Sequence, residues 1–232
     1  QNKKKGTISW MEENEGGGQK QIIIDLENLV EIDGKTSTKI RRRDLSKGVG
    51  YSLPDYWSPM NQGTRHIKVK LNPTDAEYVK VANEFQKAAG CTILQIERLQ
   101  NPTLFRRYMV HKTDMEQERP QVKSEQWLWH GTNMTVINNI VVNGFNRSYN
   151  GANAVVYGKG VYFARDASYS VNYAHPDTAG QCCMFYASVL TGEYCVGNRN
   201  MIEPPPKNAT QPHILFDSTV DNVQNPSIYV VY

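Results

Sequence analysis

Three short stretches in the second half of the chain carry side chains suited to chemistry. The first, Trp129-His130-Gly131-Thr132, closes an apolar run from Gln126. An imidazole there serves either a core hydrogen bond or a ligand. The glycine after it lets a ligand approach the backbone, so its N–H and C=O become recognition groups. The second, Tyr157-Gly158-Lys159-Gly160-Val161-Tyr162-Phe163-Ala164, joins a glycine turn to an aromatic strand. Its spacing fits neither the Walker pattern nor a dinucleotide fingerprint, because no third glycine follows and a strand stands where a helix should. The third, Ser168 to Tyr173, sets Ser170 and Tyr173 three residues apart, on one helical face. An aromatic ring beside a hydroxyl can stack on a flat ligand while the hydroxyl bonds the ligand's amide. Each stretch alone has an ordinary packing explanation; the three in this order are more specific than any one.

These stretches need a scaffold. Ile67–Leu71 alternates with period 2 and reads as a half-buried strand. Asn72-Pro73-Thr74-Asp75 opens a helix, with Tyr78, Val81, Ala82, Phe85 and Ala89 at helical spacing and Gly90 as its stop. Cys91–Leu99 is β-rich, Asn101-Pro102 starts a second helix towards Met115, and the polar run 114–124 reads as a loop. Strands are expected at Gln126–His130, Gly160–Ala164, Met184–Leu190 and Ile228–Tyr232. Helices are expected at Asn133–Asn143, closed by Gly144, and at Ser168–Ala174. Strands outnumber helices without regular βαβ alternation, which predicts an α+β fold with antiparallel sheet. An earlier unit has strands at Ile22–Leu26, Leu29–Ile32 and Thr38–Arg42, too few to bury much core alone. The expected division is residues 1–47 for this β unit and linker, and 48–232 for the main domain.

Composition narrows the partners. The net charge of +3 leaves the chain mildly basic, and the one dense basic run, Lys39-Ile40-Arg41-Arg42-Arg43, reads as a solvated strand end rather than a nucleic-acid site. Four cysteines without a CxxC pair, and no histidine at zinc-ligand spacing, argue against a structural metal and for reduced thiols. No apolar run approaches the roughly 20 residues of a membrane span, and the lysine-rich start has no apolar stretch after it, so neither a signal peptide nor a membrane anchor is expected.

The order HGT, GKGVYFA, SxSxNY resembles the catalytic domain of the poly(ADP-ribose) polymerase superfamily, the diphtheria-toxin-like ADP-ribosyltransferases. The similarity runs over about residues 56–232. It includes Ile96–Asn101, Leu190-Thr191-Gly192-Glu193 and Leu215-Phe216-Asp217-Ser218. Gly144–Ser148 and the loop Pro204–Asn208 resemble the mono-ADP-ribosyltransferases that carry macrodomains. The resemblance implies an ADP-ribosyltransferase fold whose antiparallel sheets and flanking helices form a cleft for NAD, the co-substrate, with no metal.

It also implies roles. His130 would bond the 2′-hydroxyl of the ribose beside nicotinamide. Gly131 would grip the carboxamide through its backbone, with Ser170 adding a third bond. Tyr173 would stack on the nicotinamide ring and Tyr162 would close its other side, so His130 and Tyr162 form the catalytic pair. Residues 146–157 would cover the donor, with Ser148 near the adenosine half; Thr132, Tyr157, Phe163 and Ala164 complete the implied NAD-binding set. The family's third position, Glu in chain-elongating members and Ile or Leu in mono-transferring ones, is expected on a strand after Tyr232. The implied partners are acceptor proteins, the chain itself included, and the implied setting is cytoplasm or nucleus, as a monomer. The piece Ile22–Leu29 with Thr38–Arg43 resembles the second half of a WWE domain, with Trp10 at a strand start. A silent NAD- or ADP-ribose-binding module and a chain-elongating polymerase are the competing expectations.

Overall fold

The computed structural model describes residues 7–13, 19–25, 30–33, 36–39, 51–86, 90–149 and 155–232. The chain divides into two units, Gln1–Tyr51 and Ser52–Tyr232. The expected boundary at 47/48, Arg41–Arg43 of the basic run, and residues 150–154 of the expected donor cover all lie outside the described residues.

The first unit is an antiparallel meander of four strands, β1 Thr7–Glu13, β2 Gln19–Asp25, β3 Val30–Asp33 and β4 Thr36–Lys39, paired in sequence order. Sequence reading anticipates three of these. β1 contains Trp10, inside the strand rather than at its start, and pairs along its length with Gln19–Asp25 of β2.

The second unit begins with a two-stranded antiparallel ribbon, β5 Ile67–Lys70 and β6 Glu97–Gln100, with helix α1 Ala76–Gln86 between them in sequence. The β-rich stretch from Cys91 contributes only its last residues. β5 is four residues long, so the ladder ends there, and Leu94 points to solvent with no surface to bury against. Asn101 caps α2 Pro102–Glu118, its side chain accepting from the backbone N–H of Leu104 at 3.1 Å. This helix runs through the expected loop as far as Glu118. A Lys112–Glu116 pair one turn apart supports the extension, and Arg119 beyond it forks onto Asp217 at 2.5 and 2.9 Å.

Six further strands form the main sheet: β7 Glu125–Gly131, β8 Val161–Ala164, β9 Met184–Leu190, β10 Tyr194–Val196, β11 Ser218–Val220 and β12 Ile228–Val231. Their order is β10-β11-β12-β8-β7-β9, antiparallel throughout except for the β10–β11 pair. The fold is therefore α+β, as the pattern predicts. β10 and β11 escape sequence reading because three residues carry no periodicity; their pairing partners alone make them strands. Helix α3 Ile137–Asn143 follows a tighter 3₁₀ turn at Met134–Val136, so the expected helix is split. Helix α4 Ala167–Val171 is shorter than expected.

The core lies on one face of the sheet, where Leu128, Val161, Phe163, Val189, Val220 and Tyr229 are buried together. Burying each side chain of this kind contributes about 1.5–3 kcal/mol before chain entropy is subtracted. On the other face, α1 lays Phe85 5.5 Å from the ring of Trp129, and Trp129 stacks on Tyr186 at 4.4 Å. The strands carrying the predicted chemistry are thus fixed from both sides.

Candidate active site

The sheet is unevenly joined at its middle. β7 pairs with β9 along its whole length, and β8 pairs with β12 along its own. Between them, β7 and β8 share one register pair, Trp129 with Ala164. At this seam the backbone ladder gives way to a side chain: His130 Nδ1 lies 2.8 Å from the carbonyl oxygen of Tyr162. A carbonyl only accepts, so Nδ1 carries the proton and Nε2 keeps a bare lone pair. Burial pulls the imidazole's pKa below its usual 6.5, opposed by the bond to Tyr162. The neutral ring therefore predominates at neutral pH. Phe145 meets it edge-on at 5.0 Å and Phe163 lies 5.4 Å away. These aromatics leave it little freedom to turn.

Gly131 follows at the end of β7, opposite Met184. α4 packs against β7 and β8, and it comes so close that a Cβ on Gly131 would overlap the backbone carbonyl of Ser170. Only glycine allows this approach, which sets the Gly131 backbone beside the helix. Ser170 is buried, and its hydroxyl donates to the carbonyl of Trp129 at 3.0 Å. Its proton is engaged; its lone pairs remain available to an amide N–H. Tyr173 sits one turn on, half-buried, its hydroxyl 3.1 Å from that of Tyr169 and the two rings 5.3 Å apart. His130, Gly131, Ser170 and Tyr173 are thus brought together by the end of one strand and one short helix.

Tyr162 comes from the other side of the seam. Its hydroxyl accepts from the Tyr157 N–H at 2.8 Å and donates to the Gly158 carbonyl at 2.9 Å, closing the glycine turn onto β8. Burial raises its pKa, so the phenol is neutral. Tyr157 is half-buried at the start of this turn, and Thr132 is half-buried just beyond Gly131.

Three other predicted residues are placed differently. Phe163 is buried in the core beneath His130, and Ala164 is buried against its pairing partners. What these two can offer a ligand is backbone. Ser148 is exposed in a 3₁₀ turn, Arg147–Tyr149, held by its own N–H to Asn146 Oδ1, while Arg147 reaches the Ile202 carbonyl at 3.1 Å. Sequence reading assigns no role to Phe145, although Gly144-Phe145 is a quoted motif; an aromatic three residues before an exposed serine gives no sign that it meets a histidine from another element.

Among the described residues, no three His, Cys, Asp or Glu side chains gather as metal ligands, and no helix is long and apolar enough to cross a membrane.

A model of the poly(ADP-ribose) polymerase catalytic domain matches residues 75–225. The chain is 42% identical over 217 residues to the protein mono-ADP-ribosyltransferase PARP14 of Homo sapiens, covering 92% of this chain and 12% of that protein. Identity to the protein mono-ADP-ribosyltransferase PARP12 of Homo sapiens is 36% over 184 residues, covering 78% of this chain and 26% of that protein. To the protein mono-ADP-ribosyltransferase PARP10 of Mus musculus it is 40% over 142 residues, 60% of this chain and 15% of that protein. The chain thus spans about a quarter or less of the length of these relatives.

Proposed function

The chain belongs to the poly(ADP-ribose) polymerase catalytic-domain family, and we propose that it transfers a single ADP-ribose from NAD to a protein side chain, releasing nicotinamide. The observation that carries this reading is the seam between β7 and β8, where a neutral His130 bonds the Tyr162 backbone carbonyl and the bare backbone of Gly131 lies against Ser170. His130 Nε2 would accept from the 2′-hydroxyl of the ribose next to nicotinamide. Gly131 and Ser170 would grip the carboxamide, Tyr173 would stack on the ring, and Tyr162 would close its far side. Thr132, Tyr157 and the backbone of Phe163 and Ala164 would line the cleft, with Ser148 towards the adenosine half.

The chemistry asks for positioning more than for a base. The bond from ribose C1′ to the nicotinamide nitrogen breaks, and its electron pair leaves with nicotinamide. Positive charge develops on the ribose, and an acceptor carboxylate, already anionic at neutral pH, forms the new bond to C1′. Holding the donor bent contributes to the rate through orientation and through binding that favours the transition state.

Single transfer rather than chain elongation is supported by the strand beside Tyr162. β12 pairs Val230 with Tyr162 and Ile228 with Ala164, so Ile228 lies on the Tyr162 face of the sheet. We place the family's third position at Ile228, in this strand, instead of after Tyr232. An isoleucine offers no carboxylate to orient a second ribose. The likeness to the macrodomain-bearing branch rests on Gly144–Ser148 and Pro204–Asn208. The β1–β4 meander is read as the second half of a WWE domain. Cytoplasm or nucleus is the proposed setting, with acceptor proteins, the chain itself among them, as partners of a monomer that binds neither membrane nor nucleic acid.

Incubation with labelled NAD, with products sized by gel and intact mass, tests the reading. One or a few discrete additions are expected, and His130→Ala should abolish them while leaving the fold intact. A high-mass smear would replace single transfer with chain growth. NAD binding without label would leave a silent binding module.

A further inference from the structure

The turn before β8 is built in an unusual way. Tyr157 makes no strand ladder, yet both its backbone groups are bonded by side-chain hydroxyls. Its N–H donates to the Tyr162 hydroxyl, and its carbonyl accepts from Thr219 Oγ1 at 2.8 Å. That threonine has given its only proton to a carbonyl, so the Tyr232 hydroxyl, 3.2 Å away, must donate to it. Tyr162 also donates to the Gly158 carbonyl. Gly158 adopts a φ of 127° and presses against Tyr232, whose hydroxyl would overlap any Cβ there. Three hydroxyls, from β8, β11 and the residue after β12, therefore bond one turn, alongside a backbone bond from the Lys159 N–H to the Met201 carbonyl at 2.8 Å. Thr219 is the node of this set and is fully buried, and nothing in the family match or in the catalytic roles above assigns it a function.

We propose that Thr219 is a positioning residue for NAD. On the single-transfer reading given above, it fixes the Tyr157 carbonyl, and with it the turn that lines the cleft outside the nicotinamide pocket. Its partners are all neutral, since burial raises the pKa of both Tyr162 and Tyr232, so the set aligns by hydrogen-bond direction rather than by charge. A threonine in the middle of a sheet does not need a hydroxyl to pack. The hydroxyl is used here to aim a turn that the ladder leaves unpaired. The carboxamide grip of Gly131, Ser170 and Tyr173 belongs to other elements and shares none of these bonds.

That separation gives the test. In the full chain, Thr219→Val keeps the shape and removes the hydroxyl; Thr219→Ser restores it. NAD KM, kcat and the affinity of benzamide, a carboxamide probe that reaches only the nicotinamide pocket, are measured for each. Losing a hydrogen bond of ordinary net strength predicts a roughly three- to tenfold rise in NAD KM for Thr219→Val, with benzamide affinity and kcat little changed and KM restored in Thr219→Ser. Tyr232→Phe, which removes the donor to Thr219, should raise KM in the same direction by less. Overturning results are an unchanged KM in Thr219→Val, or a loss that falls equally on NAD and benzamide and is not restored by serine, which would make Thr219 a packing residue. If the unaltered chain binds neither NAD nor benzamide, the transferase reading itself fails and this role falls with it.

Discussion

The two sides of the sheet seam hold their functional groups by different balances of shape and hydrogen bonding. On the β7 side, Gly131 and Ser170 meet backbone to backbone, and α4 is seated by shape. On the β8 side, the Tyr157–Gly160 turn adds three hydroxyls to a backbone bond from the Lys159 N–H to the Met201 carbonyl and to the close packing of Gly160 on Val231. A site held by shape tolerates no added atom, whereas one held by hydrogen bonds loses alignment in steps as donors are removed. The difference suits the tasks proposed for each side. A rigid nicotinamide ring would be met on the β7 side by a fixed slot, and the rest of the donor, beyond the Tyr162 ring, by a turn that can be adjusted bond by bond.

Gly131→Ala presses hardest on this contrast. The new methyl would meet backbone, which cannot turn aside as a side chain can. A loss of about 3 kcal/mol in urea unfolding, the upper end for overpacking, is expected together with loss of benzamide binding. An alanine variant of ordinary stability and affinity would show that the slot is not set by shape. Tyr173→Ala removes the stacking surface while sparing the backbone contact. Its expected effect is about 1–3 kcal/mol in benzamide affinity, the range for burying an aromatic contact, read by calorimetry. Equal affinity would move the stacking role elsewhere, with Tyr169 the neighbouring ring.

The smallest effect comes from His130, whose ring reaches across the seam. The folded pKa of His130 lies below the 6.5 of the free imidazole. The unfolded chain therefore takes up the proton first as pH falls. The contribution of the neutral ring is whole above pH 6.5 and is lost as pH drops below 6.5 through the folded value. A kcat/KM profile flat above 6.5 with an acid limb below it is expected, and melting temperatures over the same range separate stability from activity. A limb centred above 6.5 would mean that the ring is held as the cation, contrary to its bond with the Tyr162 carbonyl.

Much of this arrangement is legible in the sequence, and the parts that are not share a cause. Asn101 announces its helix because a cap is a local event, and Gln126–His130 announces β7 because its apolar run is. The roles proposed for His130, Gly131, Ser170 and Tyr173 come from the resemblance their motifs carry. What escapes is whatever depends on a partner far along the chain: β10 and β11, three residues each; Phe145 against His130; Thr219 and Tyr232 under the turn; and Ile228 beside Tyr162. Cys91–Ile96 shows the converse, a β-rich stretch that lies outside the strands, although the Ile96 carbonyl still accepts from the Leu71 N–H at 3.0 Å.

The place of β12 within the sheet has a consequence for biosynthesis. β8 has its full ladder with β12 and only one register pair with β7, so the strand bearing Tyr162 emerges from the ribosome long before its partner is made. At roughly 5–20 residues per second, the wait is on the order of several seconds. Through that interval β8 is an open edge rich in apolar residues, the form most prone to pairing with the wrong chain. The yield of folded protein is therefore expected to depend on how soon Ile228 is made and on what shields β8 until then.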